Sequence, residues 1–201
     1  MDLSRRRFLS ALAVVPASRA LGSPHPRRSE GCASCVLPES RAGYKKALAG
    51  RDPPGLVIFP AAAGWDPSLP ERVRSGQWVI FESGSGFADP KRFEEQRAGL
   101  EAAFGLSLEE PRALWDEGPR PPYVELEWPV RALVRDFSRV VPVRGGQAIG
   151  RLGGQPVAAL RRVGAGALVF LGSPVGPALW SDDATAHAWL QSVLAVAADP
   201  A

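Results

Sequence analysis

"LVIFPAAAGWDPSLPERVRSGQWVIFES", residues 56–83, holds two unbroken apolar runs separated by a short polar segment. Leu56, Val57, Ile58 and Phe59 form the first run; Trp78, Val79, Ile80 and Phe81 form the second. Successive side chains of a strand point to opposite faces, so a strand with one face in water alternates apolar and polar residues. A run without alternation is the pattern of a strand covered on both faces. Between the runs, Ser68 and Glu71 have capping-box spacing, Pro70 lies in a first turn, and Gly76 stands where a short helix would end. Strand, short helix and strand in this order predict a parallel pair joined by a right-handed crossover.

Working outward, "SRAGYKKALAG" predicts a helix with Ser40 as N-cap and Gly50 at its end. Asp89 and Pro90 form an N-cap and N1 pair, Phe93, Leu100 and Phe104 share one face, and Gly105 closes that helix. Residues 106–122 are rich in proline and read as an irregular loop. "YVELEW" alternates and reads as a half-exposed strand. Gly164, Ala165 and Gly166 separate two β runs, Val157–Leu160 and Leu168–Leu171, as in an antiparallel hairpin. Ser181, Asp182 or Asp183 caps a last helix whose apolar face carries Trp189, Leu190 and Val193. The expected fold class is α/β: an open, mainly parallel sheet flanked by helices, with an antiparallel hairpin near the C-terminus. A chain of 201 residues suits one such domain.

The net charge of +3 is no sign of nucleic-acid binding. Arg5, Arg6, Arg7 and Arg19 against Asp2 give residues 1–22 the whole excess, and the remainder is balanced. No basic patch interleaved with aromatics appears.

That leader begins "SRRRFLS" at residues 4–10. Arg5, Arg6, Phe8 and Leu9 resemble the twin-arginine export signal of bacteria. The apolar stretch from Phe8 to Ala17 is about ten residues, the length of a signal-peptide core and short of the roughly 20 that span a bilayer. The resemblance implies a partner, the twin-arginine translocase, and a periplasmic or extracellular address for the folded protein. The chain then divides into a signal peptide over 1–22, a linker or short first strand over 23–38, and a single domain over 39–201. No membrane span is expected in the mature chain.

Cys32 and Cys35 form a C-x-x-C. Val36, Leu37 and Pro38 follow, which disfavours a helix continuing from the motif, the setting that redox activity requires. Position 36 is not His, as c-type haem attachment would need, and His25 and His187 are the chain's only histidines for a zinc site. A local disulfide or two plain thiols is the favoured reading, with redox or metal chemistry as the other; the sequence specifies no metal site and no cofactor.

In open parallel sheets, ligands sit beyond the carboxyl ends of strands. Three such ends bring Asp66, Glu82, Ser83, Gly84, Ser85, Gly86 and Ser173 to one expected rim, with Trp65 and Trp180 nearby. Free N–H groups from Gly84 to Gly86 would suit an anion; indole beside small polar groups would suit a sugar or peptide. Ser85 raises the question of a nucleophile. The residues two before and two after it are Ser83 and Phe87, so the G-x-S-x-G elbow is missing. The only base for it in the folded region is His187, oriented by Asp182 or Asp183.

The phrases "LVIFPAAAGWD", "LPERVRSGQWVIFESGSG" and "QPVAALRRVGAGALVFLGSPVG" resemble the class I glutamine amidotransferase-like superfamily over residues 35–195. The resemblance implies a flavodoxin-like α/β fold. It also implies a nucleophilic cysteine after a central strand and a His-x-Glu pair near the end. Both cysteines lie at the start of the domain, and His187 is followed by Ala188 and Trp189. Three functions remain: a non-catalytic binding or accessory module of the cell envelope for a small molecule or protein; an envelope hydrolase using Ser85 with His187, or acids such as Glu82 and Asp66; or redox or metal work at Cys32 and Cys35.

Overall fold

The computed structural model describes residues 35–84, 89–113, 123–135 and 139–199. The first half runs α1 (Pro38–Ala47), β1 (Leu56–Ala62), α2 (Leu69–Arg74), β2 (Trp78–Ser83) and α3 (Pro90–Phe104). Short strands β3 (Ser107–Leu108) and β4 (Arg112–Ala113) follow, then β5 (Tyr123–Leu126), β6 (Ala132–Arg135), β7 (Arg139–Val140) and β8 (Val143–Arg144). The chain ends with β9 (Gln147–Leu152), β10 (Gln155–Val163), β11 (Gly166–Leu171), α4 (Gly176–Trp180) and α5 (Ala184–Ala198).

One seven-stranded sheet has the order β1-β2-β11-β10-β9-β5-β6. β1 and β2 pair in parallel, with Val57 opposite Val79, and β2 pairs in parallel with β11. The four other pairings, β11–β10, β10–β9, β9–β5 and β5–β6, are antiparallel. The sheet is therefore mixed, and the expected open, mainly parallel sheet of flavodoxin type is corrected. The physical reason is plain. An unbroken apolar run reports burial on two faces and says nothing of the direction of the neighbour. β5–β6, β9–β10 and β10–β11 are each joined by a short connection, and short connections make antiparallel pairs.

Both faces are covered, which explains the unbroken runs. Along β2, Trp78 and Ile80 face one core with Val169, Leu179, Trp189 and Val193. Val79 and Phe81 face the other with Leu69, Val73, Phe93, Leu100 and Phe170. Phe81 lies between Phe59, with ring centroids 5.8 Å apart, and Phe170, at 6.5 Å. Each such side chain contributes about 1.5–3 kcal/mol by leaving water.

The helix ends follow the sequence in part. Asp89 accepts from Lys91 N at 2.9 Å, Pro90 opens α3, and Gly105 closes it at φ 65°. Asp183 caps α5, accepting from Thr185 N at 2.8 Å and Ala186 N at 3.0 Å. Three expectations are corrected. Pro38 opens α1, so Ser40 lies inside that helix rather than at its N-cap. Ser68 sits at the N-cap of α2 but makes no side-chain cap, so the box with Glu71 does not form. The stretch 106–122 contains β3 and β4, which pair with β8 and β7 in two small sheets. No helix among the described residues is long and apolar enough to cross a membrane.

Candidate functional site

β1, β2 and β11 are neighbours running the same way, so their carboxyl ends meet. Glu82 stands at that meeting point. Its register follows Trp78 and Ile80, so a carboxylate takes the next place in an apolar row, fully buried. A buried charge is tolerated only when its lone pairs are filled. Oε1 accepts from Tyr44 OH at 2.7 Å, Val175 N at 2.8 Å and Gly176 N at 3.0 Å. Oε2 accepts from Ala61 N at 3.1 Å and from Ser40 Oγ.

Each donor has a local cause. Ser40 and Tyr44 are one helical turn apart on α1 and so share a face. Val175 and Gly176 open α4, where main-chain N–H groups have no partner within the helix. The register of β1 on β2 slips between Phe59 and Ala62, and Ala61 sits at φ 40°. This bulge takes Ala61 N–H out of the ladder and aims it at Glu82. Burial pushes the Glu82 carboxyl above its ordinary range, and the bonds from Ser40, Tyr44, Val175 and Gly176 pull it partly back. Burial, followed by the charge of Glu82 and its hydrogen bond, drives the Tyr44 hydroxyl well above its usual value, so it stays a donor.

The helices that carry these donors touch closely. A Cβ on Gly43 would lie 1.9 Å from Gly176 O, and a Cβ on Gly176 would lie 2.2 Å from Ser40 Oγ. Glycine on both sides lets α1 and α4 cross backbone to backbone. Glu82 and this crossing form a clamp binding α1, β2 and α4. Glu82 has no access to solvent.

The other rim residues have structural partners. Ser83, fully buried, donates to Gln96 Oε1 on α3, and Gln96 Nε2 donates to Gly64 O at 3.4 Å. Ser173 is buried. Asp66 accepts from Ser68 N at 2.8 Å and Ser68 Oγ at 2.7 Å, shaping the turn into α2. Gly84 N donates to Ala62 O at 2.9 Å, and a Cβ there would lie 2.3 Å from Ala61 O. Trp65 packs across Gly99 of α3, where a Cβ would come within 2.3 Å of its ring. Ser85 and Gly86 lie outside the described residues.

His187 belongs to a different cluster, beyond α4. Its Nε2 lies 3.2 Å from Leu179 O; a carbonyl only accepts, so this nitrogen carries the proton. Asp182 Oδ1 is 3.8 Å from the same nitrogen, while Asp183 is occupied as the α5 cap. Lys46 Nζ donates to Asp182 Oδ2 at 2.6 Å and to Trp180 O at 3.1 Å. Lys46 is the foremost cause holding the Asp182 carboxyl below its ordinary range. Trp180 is 53% exposed.

Cys35 makes an isolated antiparallel bridge with Ala62, and its Sγ donates to Leu37 O at 3.0 Å. Cys32 and the leader residues Arg5, Arg6, Phe8 and Leu9 lie outside the described residues. Among the described residues, no group of three or more His, Cys, Asp or Glu side chains is placed to hold a metal ion. The sequence reading missed Ser40 and Tyr44 as partners of Glu82. The available signal was their i, i+4 spacing, together with a lone acid ending an apolar strand.

No family model matches the chain, and no curated protein matches it in sequence. Solved structures do resemble it. An exo-β-1,4-mannosidase from Opitutaceae bacterium strain TAV5 matches 69% of this chain and 25% of its own, with 18% identity and a TM-score of 0.51. A β-galactosidase from Rahnella sp. R3 matches 73% of this chain and 23% of its own, with 17% identity and a TM-score of 0.52. A β-galactosidase from Bacillus circulans sp. alkalophilus matches 79% and 28%, with 16% identity and a TM-score of 0.50. The chain spans about a quarter of the length of these enzymes. The expected kinship with glutamine amidotransferases of flavodoxin-like fold is corrected accordingly. At these identities the shared property is the fold, and it places this architecture beside a segment of glycosidase chains.

Proposed function

We propose that the chain is an exported module of glycan breakdown in the cell envelope, contributing binding or assembly rather than bond cleavage. The observation that carries the non-catalytic part is the state of Glu82. Glycosidases place two carboxyl groups about 5–9.5 Å apart across an open cleft. Here the acid at the convergence of three strand ends is sealed by five internal donors. The likeness to mannosidase and β-galactosidase segments supports glycans as the class of target. The twin-arginine resemblance of residues 4–10 supports export.

A second reading, a hydrolase using Ser85 with His187, draws on the same likeness to hydrolase chains. One experiment separates the two. The mature chain is incubated with p-nitrophenyl β-galactoside and β-mannoside and, separately, with a fluorophosphonate probe. The accessory reading expects no turnover and no labelling at Ser85. Turnover lost in Ser85→Ala or His187→Ala would establish the hydrolase instead.

A further inference from the structure

We propose that Trp180, Lys46 and Asp182 form a glycan-binding subsite, with the Trp180 indole as a stacking platform and the two charged groups as partners for sugar hydroxyls. The class of ligand rests on the glycan reading above; the location rests on separate observations.

The first observation is how Trp180 is held. Ala178 and Leu179, its neighbours in α4, are buried, while Trp180 alone of that helix's large side chains stands in solvent. Among the described residues it is the only exposed indole. Its backbone is fixed from three directions. Lys46 Nζ bonds its carbonyl, its amide nitrogen lies 2.8 Å from where a Cβ on Gly43 would stand, and Glu82 holds the first turn of α4. A backbone already held in place reduces the ordering that ligand binding to the ring would require.

The second is the pair of charges beside it. Lys46 and Asp182 bond each other at 2.6 Å yet remain 48% and 67% exposed. Asp182 has φ 60°, a left-handed conformation in which glycine is the default residue. The backbone there would be served by glycine. The carboxylate adds a hydrogen-bonding group, held by Lys46 and lying 3.8 Å from His187 Nε2. An apolar aromatic face beside a few fixed polar groups is the arrangement that orients small polar ligands. The apolar C–H face of a pyranose would lie on the indole, and its hydroxyls would bridge the ammonium and carboxylate.

The test measures binding of β-1,4-mannotriose and of lactose to the mature chain by calorimetry and by tryptophan fluorescence. Wild type is expected to bind at least one of them. Trp180→Ala is expected to weaken that binding about tenfold or more, with Trp180→Phe intermediate. Lys46→Met and Asp182→Ala are expected to weaken it severalfold. Melting temperatures should be unchanged in the Trp180 variants, because the ring is exposed. Saccharide binding that survives Trp180→Ala unweakened overturns the subsite and leaves the glycan reading standing. No binding by wild type overturns the glycan reading and the subsite with it. A wild-type oligomer that Trp180→Ala converts to monomer, seen by light scattering, makes Trp180 an interface between copies and overturns the subsite as well.

Discussion

Glu82 shows how one side chain can organise a fold by being buried rather than by reacting. Removing it leaves Ser40, Tyr44 and the N–H groups of Ala61, Val175 and Gly176 without an acceptor. Glu82→Ala should therefore cost about 3–5 kcal/mol, read by urea unfolding. Glu82→Gln keeps one acceptor oxygen and turns an amide toward Ala61 N, so its cost should be smaller, about 1–3 kcal/mol. The pH dependence follows from the raised folded carboxyl. Between its ordinary value of 4.5 and the raised one, the folded chain binds more protons than the unfolded chain. Stability from this group is full below pH 4.5 and falls as pH rises through the folded value. The wild-type advantage over Glu82→Gln should shrink as melting is followed upward from about pH 4. An advantage that grows instead would refute the assignment. The acid itself was visible in the sequence at the end of an apolar run. Its partners were not, because Ser40 fits an N-cap pattern and only the crossing of α1 over α4 gives it another use.

At the scale of elements, local rules served where local chemistry decides. Asp89, Pro90 and Gly105 frame α3 as their propensities dictate, and Asp183 caps α5. Asp183→Ala should cost about 1 kcal/mol, measured as a drop in unfolding free energy at neutral pH. Partial burial raises the Asp183 carboxyl, but the donors Ala186 and Thr185 outweigh it and the net shift is downward. The cap's contribution is therefore present above the ordinary value of 3.8 and is lost as pH falls through the lowered one. The penalty of Asp183→Ala should fade in acid. Gly43 makes the opposite point. A helix interior normally gains about 1 kcal/mol when glycine becomes alanine. Here the new methyl would meet Gly176 O at 1.9 Å. Gly43→Ala should instead destabilise by about 1–3 kcal/mol, and a rise in melting temperature would show the crossing to be loose. Burial of the strands was legible in the same way, from Leu56–Phe59 and Trp78–Phe81. Their partners' directions were not, because β11 meets β2 from nearly ninety residues away and nothing in either segment encodes that approach.

For the whole molecule, the balance of charge outside residues 1–22 and the mixed sheet describe a domain, and the proposed export signal in those residues would set its route. Arg5→Lys with Arg6→Lys should hold a tagged chain in the cytoplasm while leaving the melting temperature of the mature domain unchanged, checked by fractionation. Retention of export by that double variant would remove the twin-arginine reading. One property of the sheet bears on that route. β11, which follows every other described strand in sequence, joins the parallel pair to the antiparallel remainder. On the ribosome the β1–β2 pair stays unjoined to the antiparallel strands until residue 171 has emerged. The seven-stranded sheet cannot be completed before that point. A translocase that accepts folded cargo, the one the proposed signal addresses, suits a sheet whose two parts meet so late.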